Sequence, residues 1–162
     1  MSLKLYFLRH GQAGNRHEWH GDDSQRPLTV EGKKRMKREA ATIWKLALPV
    51  DLIISSPLLR ASQTAKIVAS AQGAAARLIT DARLGPGFDP KHLAAILAEH
   101  RGAGGLMLVG HEPDLSETIS HLTGGGRLTM KKGALAYVEV EDPASLKGTL
   151  VWLIPPKVLE SS

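Results

Sequence analysis

Two hydrophobic rhythms alternate along this chain. Residues 3–8 are a near-continuous apolar run, the pattern of a parallel strand buried on both faces, and it stops abruptly at Arg9-His10-Gly11. A long polar loop, residues 13–27, follows. Thr29 then caps a helix whose Met36, Ala40, Ile43 and Ala47 share one face at spacings of three and four, ending near Pro49. Residues 51–55 read as a second buried strand, and the helix after Pro57 runs to about Gly73 with Ala61, Ala65 and Val68 inward. Residues 77–80 are a third strand. Gly85-Pro86-Gly87 marks a turn, Asp89-Pro90 starts a helix continued by Leu93, Ile96 and Leu97, and residues 105–110 form a fourth buried strand. After His111-Glu112-Pro113 a further helix carries Ile119 and Leu122 to the stop at residues 124–126.

Residues 134–140 and 149–154 read as two strands joined by a turn, suited to an antiparallel edge. Trp44 and Trp152 read as core. Alternating strands and helices predict an α/β fold with three layers and an open, mostly parallel sheet. A single domain is expected over residues 1–156, with residues 157–162 a loose tail.

Composition narrows the possible chemistry. The 162 residues contain no cysteine, which excludes a disulfide framework, thiolate catalysis and a Cys-based metal site. The absence of a leader pattern and of a long apolar run predicts a cytoplasmic, membrane-free protein. The net charge of +5 favours anionic partners without selecting one. Lys33, Lys34, Arg35, Lys37 and Arg38 read as the solvated side of one helix, and with few aromatics interleaved they argue against nucleic acid.

In open α/β sheets ligands gather beyond the carboxyl ends of the strands. Three such ends carry Arg9 with His10, Ser55-Ser56 with Arg60, and His111. Two guanidinium forks suit the oxygens of a phosphoryl group, and the start of the helix after Pro57 adds N–H donors. Two imidazoles exceed what a passive cradle needs. One neutral histidine can attack phosphorus while the other donates to an oxygen of the group in transfer.

These residues resemble those of the histidine phosphatase superfamily, the phosphoglycerate mutase-like proteins. The match lies in Leu8-Arg9-His10-Gly11, in Arg26-Pro27-Leu28-Thr29 with Gly32, in Ser55-Ser56-Pro57-Leu58-Leu59-Arg60-Ala61-Ser62-Gln63-Thr64-Ala65, and in Val109-Gly110-His111-Glu112-Pro113. The short length and the Arg26-Pro27-Leu28-Thr29 stretch are most similar to the compact bacterial SixA-type phosphohistidine phosphatases. The resemblance implies a phosphoglycerate mutase-like fold, with His10 as a nucleophile forming a covalent phosphohistidine. It further implies that Arg9, Arg60 and His111 bind the phosphoryl group with no metal or other cofactor.

The mutase branch carries a glutamate acid in an insertion after the third strand, whereas here residues 81–90 are short and hold no glutamate. Asp23 is the first candidate for the proton donor and Glu112 the second. With short connections after the third and fourth strands, an open pocket is expected, one that a phosphohistidine on a protein surface can reach. The alternatives are a phosphatase for small phosphomonoesters and a non-catalytic module that binds phosphorylated ligands. His17 and His20 lack metal-ligand spacing, Trp19 reads as a loop anchor, and His92, His100 and His121 read as helix-surface residues.

Overall fold

The computed structural model describes residues 2–73 and 77–161. Strands β1 (Leu3–Arg9), β2 (Leu52–Ser55), β3 (Leu78–Thr80), β4 (Gly105–Gly110), β5 (Leu135–Asp142) and β6 (Lys147–Ile154) form one sheet in the order β3-β2-β4-β1-β5-β6. The first four are mutually parallel, while β5 runs antiparallel to β1 and β6 antiparallel to β5. The mostly parallel sheet with an antiparallel edge is the one the sequence predicts.

The continuous apolar run of β1 has a direct cause, since both of its faces are covered. Leu3, Leu5 and Phe7 pack against Leu93 and Ile96 of α3 (Pro90–Glu99) and against Leu115 and Ile119 of α4 (Asp114–Leu122). Tyr6 and Leu8 face the other way, toward Met36 and Ile43 of α1 (Val30–Lys45) and Ala61, Ala65 and Val68 of α2 (Leu59–Ala71). Removing a side chain such as Phe7, fully buried at the sheet centre, would cost about 3–5 kcal/mol. Thr29 caps α1 by accepting from the Gly32 N–H at 2.8 Å, and Asp89 caps α3 by accepting from the His92 N–H at 2.9 Å. Each cap contributes about 1 kcal/mol.

Gly11 follows β1 because of crowding rather than a left-handed turn: a Cβ there would lie 2.6 Å from the Met36 Cγ. Its N–H donates to Thr64 Oγ1 at 3.0 Å, and the Thr64 hydroxyl donates to the Arg60 carbonyl at 2.8 Å. The turn after β1 is thereby tied to the helix that carries Arg60.

Three expectations are corrected. Helix α1 stops at Lys45, and Ala47 lies exposed beyond it with a φ of 51°, off the core face. Trp44, in the last turn of α1, is 60% exposed, and Trp152 is half-buried, with its ring centroid 5.5 Å from that of Tyr137. Residues 157–160 of the expected loose tail are helical, while Ser162 lies outside the described residues. Pro156 begins a short helix, α5 (Pro156–Glu160), whose Leu159 is buried against the α1–α2 side of the core. Proline at the first helical position is pre-set for that turn.

Candidate active site

The parallel register brings three strand ends level, pairing Arg9 with Gly110 and Ser55 with Val109. The ladder then runs one step further on each side. The His10 N–H donates to the Gly110 carbonyl at 3.1 Å, and the Ser56 N–H to the Val109 carbonyl at 2.9 Å. His10, Ser56 and His111 are therefore side by side, with the two imidazole centroids 5.2 Å apart.

The tautomer of His10 follows from its partner. Its Nδ1 lies 2.7 Å from the Gly11 carbonyl, which can only accept, so Nδ1 carries the proton and Nε2 keeps a free lone pair. Burial, opposed by that bond and joined by the charges of Arg60 and Arg9, pushes the His10 pKa down to about 3. His111 is pushed down to about 4, by burial first and then by Arg60 and Arg9. Both rings are neutral near neutral pH, and His10 keeps its lone pair without needing a base.

Arg9 is fixed by the segment that enters β5. Its Nη1 donates to the Met130 carbonyl at 3.0 Å, and the Gly133 N–H bridges the carbonyls of Arg9 and His10 at 3.2 and 3.0 Å. Arg60, in the first turn of α2, donates from Nη1 to the Asp23 carbonyl at 2.9 Å and from Nη2 to Asp23 Oδ2 at 3.1 Å. The other Asp23 oxygen accepts from Arg26 Nε at 3.0 Å, and Arg26 Nη1 donates to the Gly14 carbonyl at 2.5 Å. Arg26 and Asp23 thus close the long loop on itself and anchor it to α2.

That arrangement changes the expectation for Asp23. Its hydrogen bond to Arg26 and the nearby Arg60 charge hold its carboxyl below the usual carboxylate range. Paired with two guanidinium groups, the Asp23 carboxylate accepts from both and clamps the loop, an arrangement that favours its ionised form over the protonated one a donor needs. Glu112 lies on the wall of the cleft and accepts the Ser116 N–H through Oε1 at 2.9 Å, which leaves Oε2 toward other partners.

The cleft encloses about 740 Å³ between residues 12–17 on one side and Pro86, Gly87 and residues 111–114 on the other. Arg9, His10, Arg26, Arg60 and His111 all line it. Three of these keep a buried nitrogen with no protein partner: Arg9 Nε, Arg60 Nε and His111 Nδ1. Unsatisfied buried polar groups cost free energy, and for the two guanidinium N–H groups an anion with several acceptor oxygens is the ligand that would offset it.

Two contributors escaped the sequence reading. Lys132 lines the cleft, its pKa lowered by burial and by the charges of Arg9, Arg26 and Arg60. The Met130–Gly133 turn brackets Arg9 and His10. The only hint in the sequence was the pair Lys131-Lys132 ahead of a strand. His17 and His20 are exposed in the loop, and Trp19 anchors that loop by donating from Nε1 to the Asp22 carbonyl at 2.9 Å. Among the described residues no group of three or more His, Asp or Glu side chains is disposed to hold a metal ion.

The family model of the histidine phosphatase superfamily (branch 1) matches residues 5–85. An uncharacterized protein of Picosynechococcus is 39% identical, with 82% of each chain covered. The chain belongs to the histidine phosphatase superfamily. Among solved structures, the protein histidine phosphatase SixA in complex with tungstate superposes with a TM-score of 0.85 at 25% identity, covering 97% of this chain and 99% of that one. The superfamily fold extends to phosphoglycerate mutase from Bacillus anthracis (TM-score 0.76, 13% identity, 98% and 95% covered) and to the alpha-ribazole phosphatase from Shigella flexneri (0.73, 18%, 95% and 97%). Within the superfamily, the chain's fold and dimensions are those of the SixA type.

Proposed function

We propose that this protein is a metal-independent phosphatase that works through a phosphohistidine on His10, with phosphohistidine in proteins as its substrate. The observation that carries the reading is the set of three buried, unpartnered nitrogens on Arg9, Arg60 and His111 around a neutral histidine whose Nε2 lone pair is free. In the first step Nε2 attacks phosphorus, a P–N bond forms, and the bond from phosphorus to the leaving group breaks. In the second, water attacks phosphorus, the P–N bond breaks, inorganic phosphate leaves and His10 is restored. Phosphoryl transfer asks mainly for in-line positioning and charge stabilisation, which Arg9, Arg60, His111, Arg26 and Lys132 supply.

The substrate class rests on two supports. SixA, whose structure is similar over nearly the whole chain, is a protein histidine phosphatase. The link between β3 and α3 is short and holds no glutamate, and a departing imidazole can take its proton on its other ring nitrogen, so it asks less of an acid than an alkoxide does. The test compares kcat/KM for a phosphohistidine protein with that for phosphoglycerates and sugar phosphates in one buffer. A preference for phosphohistidine above about tenfold, roughly 1.4 kcal/mol, is expected. The reverse preference would reassign the substrate to small esters.

A further inference from the structure

Ser56 directly follows β2 and lies beside His111, fully buried, with its Oγ 2.7 Å from His111 Nε2. The same oxygen accepts the Leu58 N–H at 3.2 Å. A hydroxyl has one proton to give, and His111 Nε2 is the only acceptor within reach of this one among the described residues.

We infer that Ser56 is a positioning residue, whose hydroxyl donates to Nε2 and thereby holds neutral His111 as the tautomer protonated at Nδ1. In the opposite tautomer Nε2–H would donate to Oγ, leaving the buried Ser56 proton without an acceptor and Nδ1 as a bare lone pair. Nδ1 is the buried nitrogen of His111 with no protein partner, on a side chain that lines the cleft. A lone pair there would repel a phosphoryl oxygen, whereas an N–H would donate to it. The two rings are thus set in complementary states by different partners. The Gly11 carbonyl leaves His10 a bare Nε2 for attack, and Ser56 leaves His111 a donor for the transferred group. The consequence for turnover rests on the phosphatase reading above; the tautomer itself does not.

The experiment uses the whole protein labelled with histidine carrying ¹⁵N at Nδ1, near pH 7.5, with His111 assigned by difference from His111→Asn. The wild type is expected to show His111 Nδ1 protonated, Ser56→Ala to shift it toward the Nε2–H form, and Ser56→Thr to retain the Nδ1–H form. In parallel, Ser56→Ala should lose about tenfold in kcat with KM changed by less than about threefold, the pattern of a contact made in the transition state. Protonation of wild-type His111 at Nε2, or a Ser56→Ala spectrum identical to wild type, would overturn the inference. A shifted tautomer with unchanged turnover would uphold the tautomer assignment and instead contradict the role of His111 in phosphoryl transfer.

Discussion

Asp23 and Arg60 meet twice, through Oδ2 at 3.1 Å and through the Asp23 backbone carbonyl at 2.9 Å, so one guanidinium holds both the side chain and the main chain of the loop. Arg60 is nearly fully buried, while the Asp23 side chain is only partly so. The pair orients Arg60, whose side chain lines the cleft, through a residue outside that lining. Asp23→Asn should lower stability by about 1–2 kcal/mol, since a buried guanidinium loses its counter-charge. It should keep kcat within about tenfold of the parent. A fall beyond 100-fold with the fold intact, measured by steady-state kinetics beside a denaturant titration, would restore Asp23 as the general acid.

Glu112, on the cleft wall, is the other proton-donor candidate. Glu112→Gln keeps the shape and the bond to the Ser116 N–H but cannot give up a proton, so its effect should follow the leaving group. Alkyl phosphates should lose about 100-fold in kcat, whereas nitrophenyl phosphate, whose phenolate leaves unprotonated, should change by less than about threefold. Equal losses on both would assign Glu112 to binding.

The grouping of Arg9, His10, Arg60 and His111 was largely legible in the sequence because β1, β2 and β4 are short buried runs that each end abruptly in polar residues. Once the strands are parallel, those ends must share one edge of the sheet. The proximity of Met130–Gly133 to Arg9 was not legible, since it follows from β5 pairing antiparallel with β1, and no local motif encodes that neighbour. The roles of Asp23 and Ser56 depend on which groups they touch, which spacing does not reveal. Trp44 continued the composition of a core helix, but its position in the last turn of α1 carries it away from the sheet. Helix α5 was too short to show a period, and its single anchor, Leu159, gave no pattern.

A buried acid on α1 sets the alkaline side of stability. Glu39 is 1% exposed, its Oε2 has no partner, and burial with the nearby Glu160 raises its pKa to about 9. The folded protein therefore binds a proton that the unfolded chain releases above its ordinary value of 4.5. The stability tied to that proton is full below 4.5 and is lost as pH rises toward 9, with a slope of at most about 1.4 kcal/mol per pH unit. His10 and His111 act on the other side. Their folded values, near 3 and 4, lie below the ordinary 6.5, so their contribution is full above 6.5 and is lost as pH falls. Denaturant titrations from pH 5 to 9 should show Glu39→Gln losing less stability than wild type between pH 6.5 and 9. Parallel curves would contradict the buried acid.

The central claim is that phosphorus passes through His10 Nε2. Rapid quenching of the wild-type protein during turnover of a ³²P-labelled substrate should trap a covalent phosphoenzyme that is stable in base and labile in acid, with the label mapping to the peptide that contains His10. His10→Ala should fold, turn over at less than about a thousandth of the parent rate and trap no label. An acid-stable phosphoester on Ser56, or near-parent turnover by His10→Ala, would contradict the account.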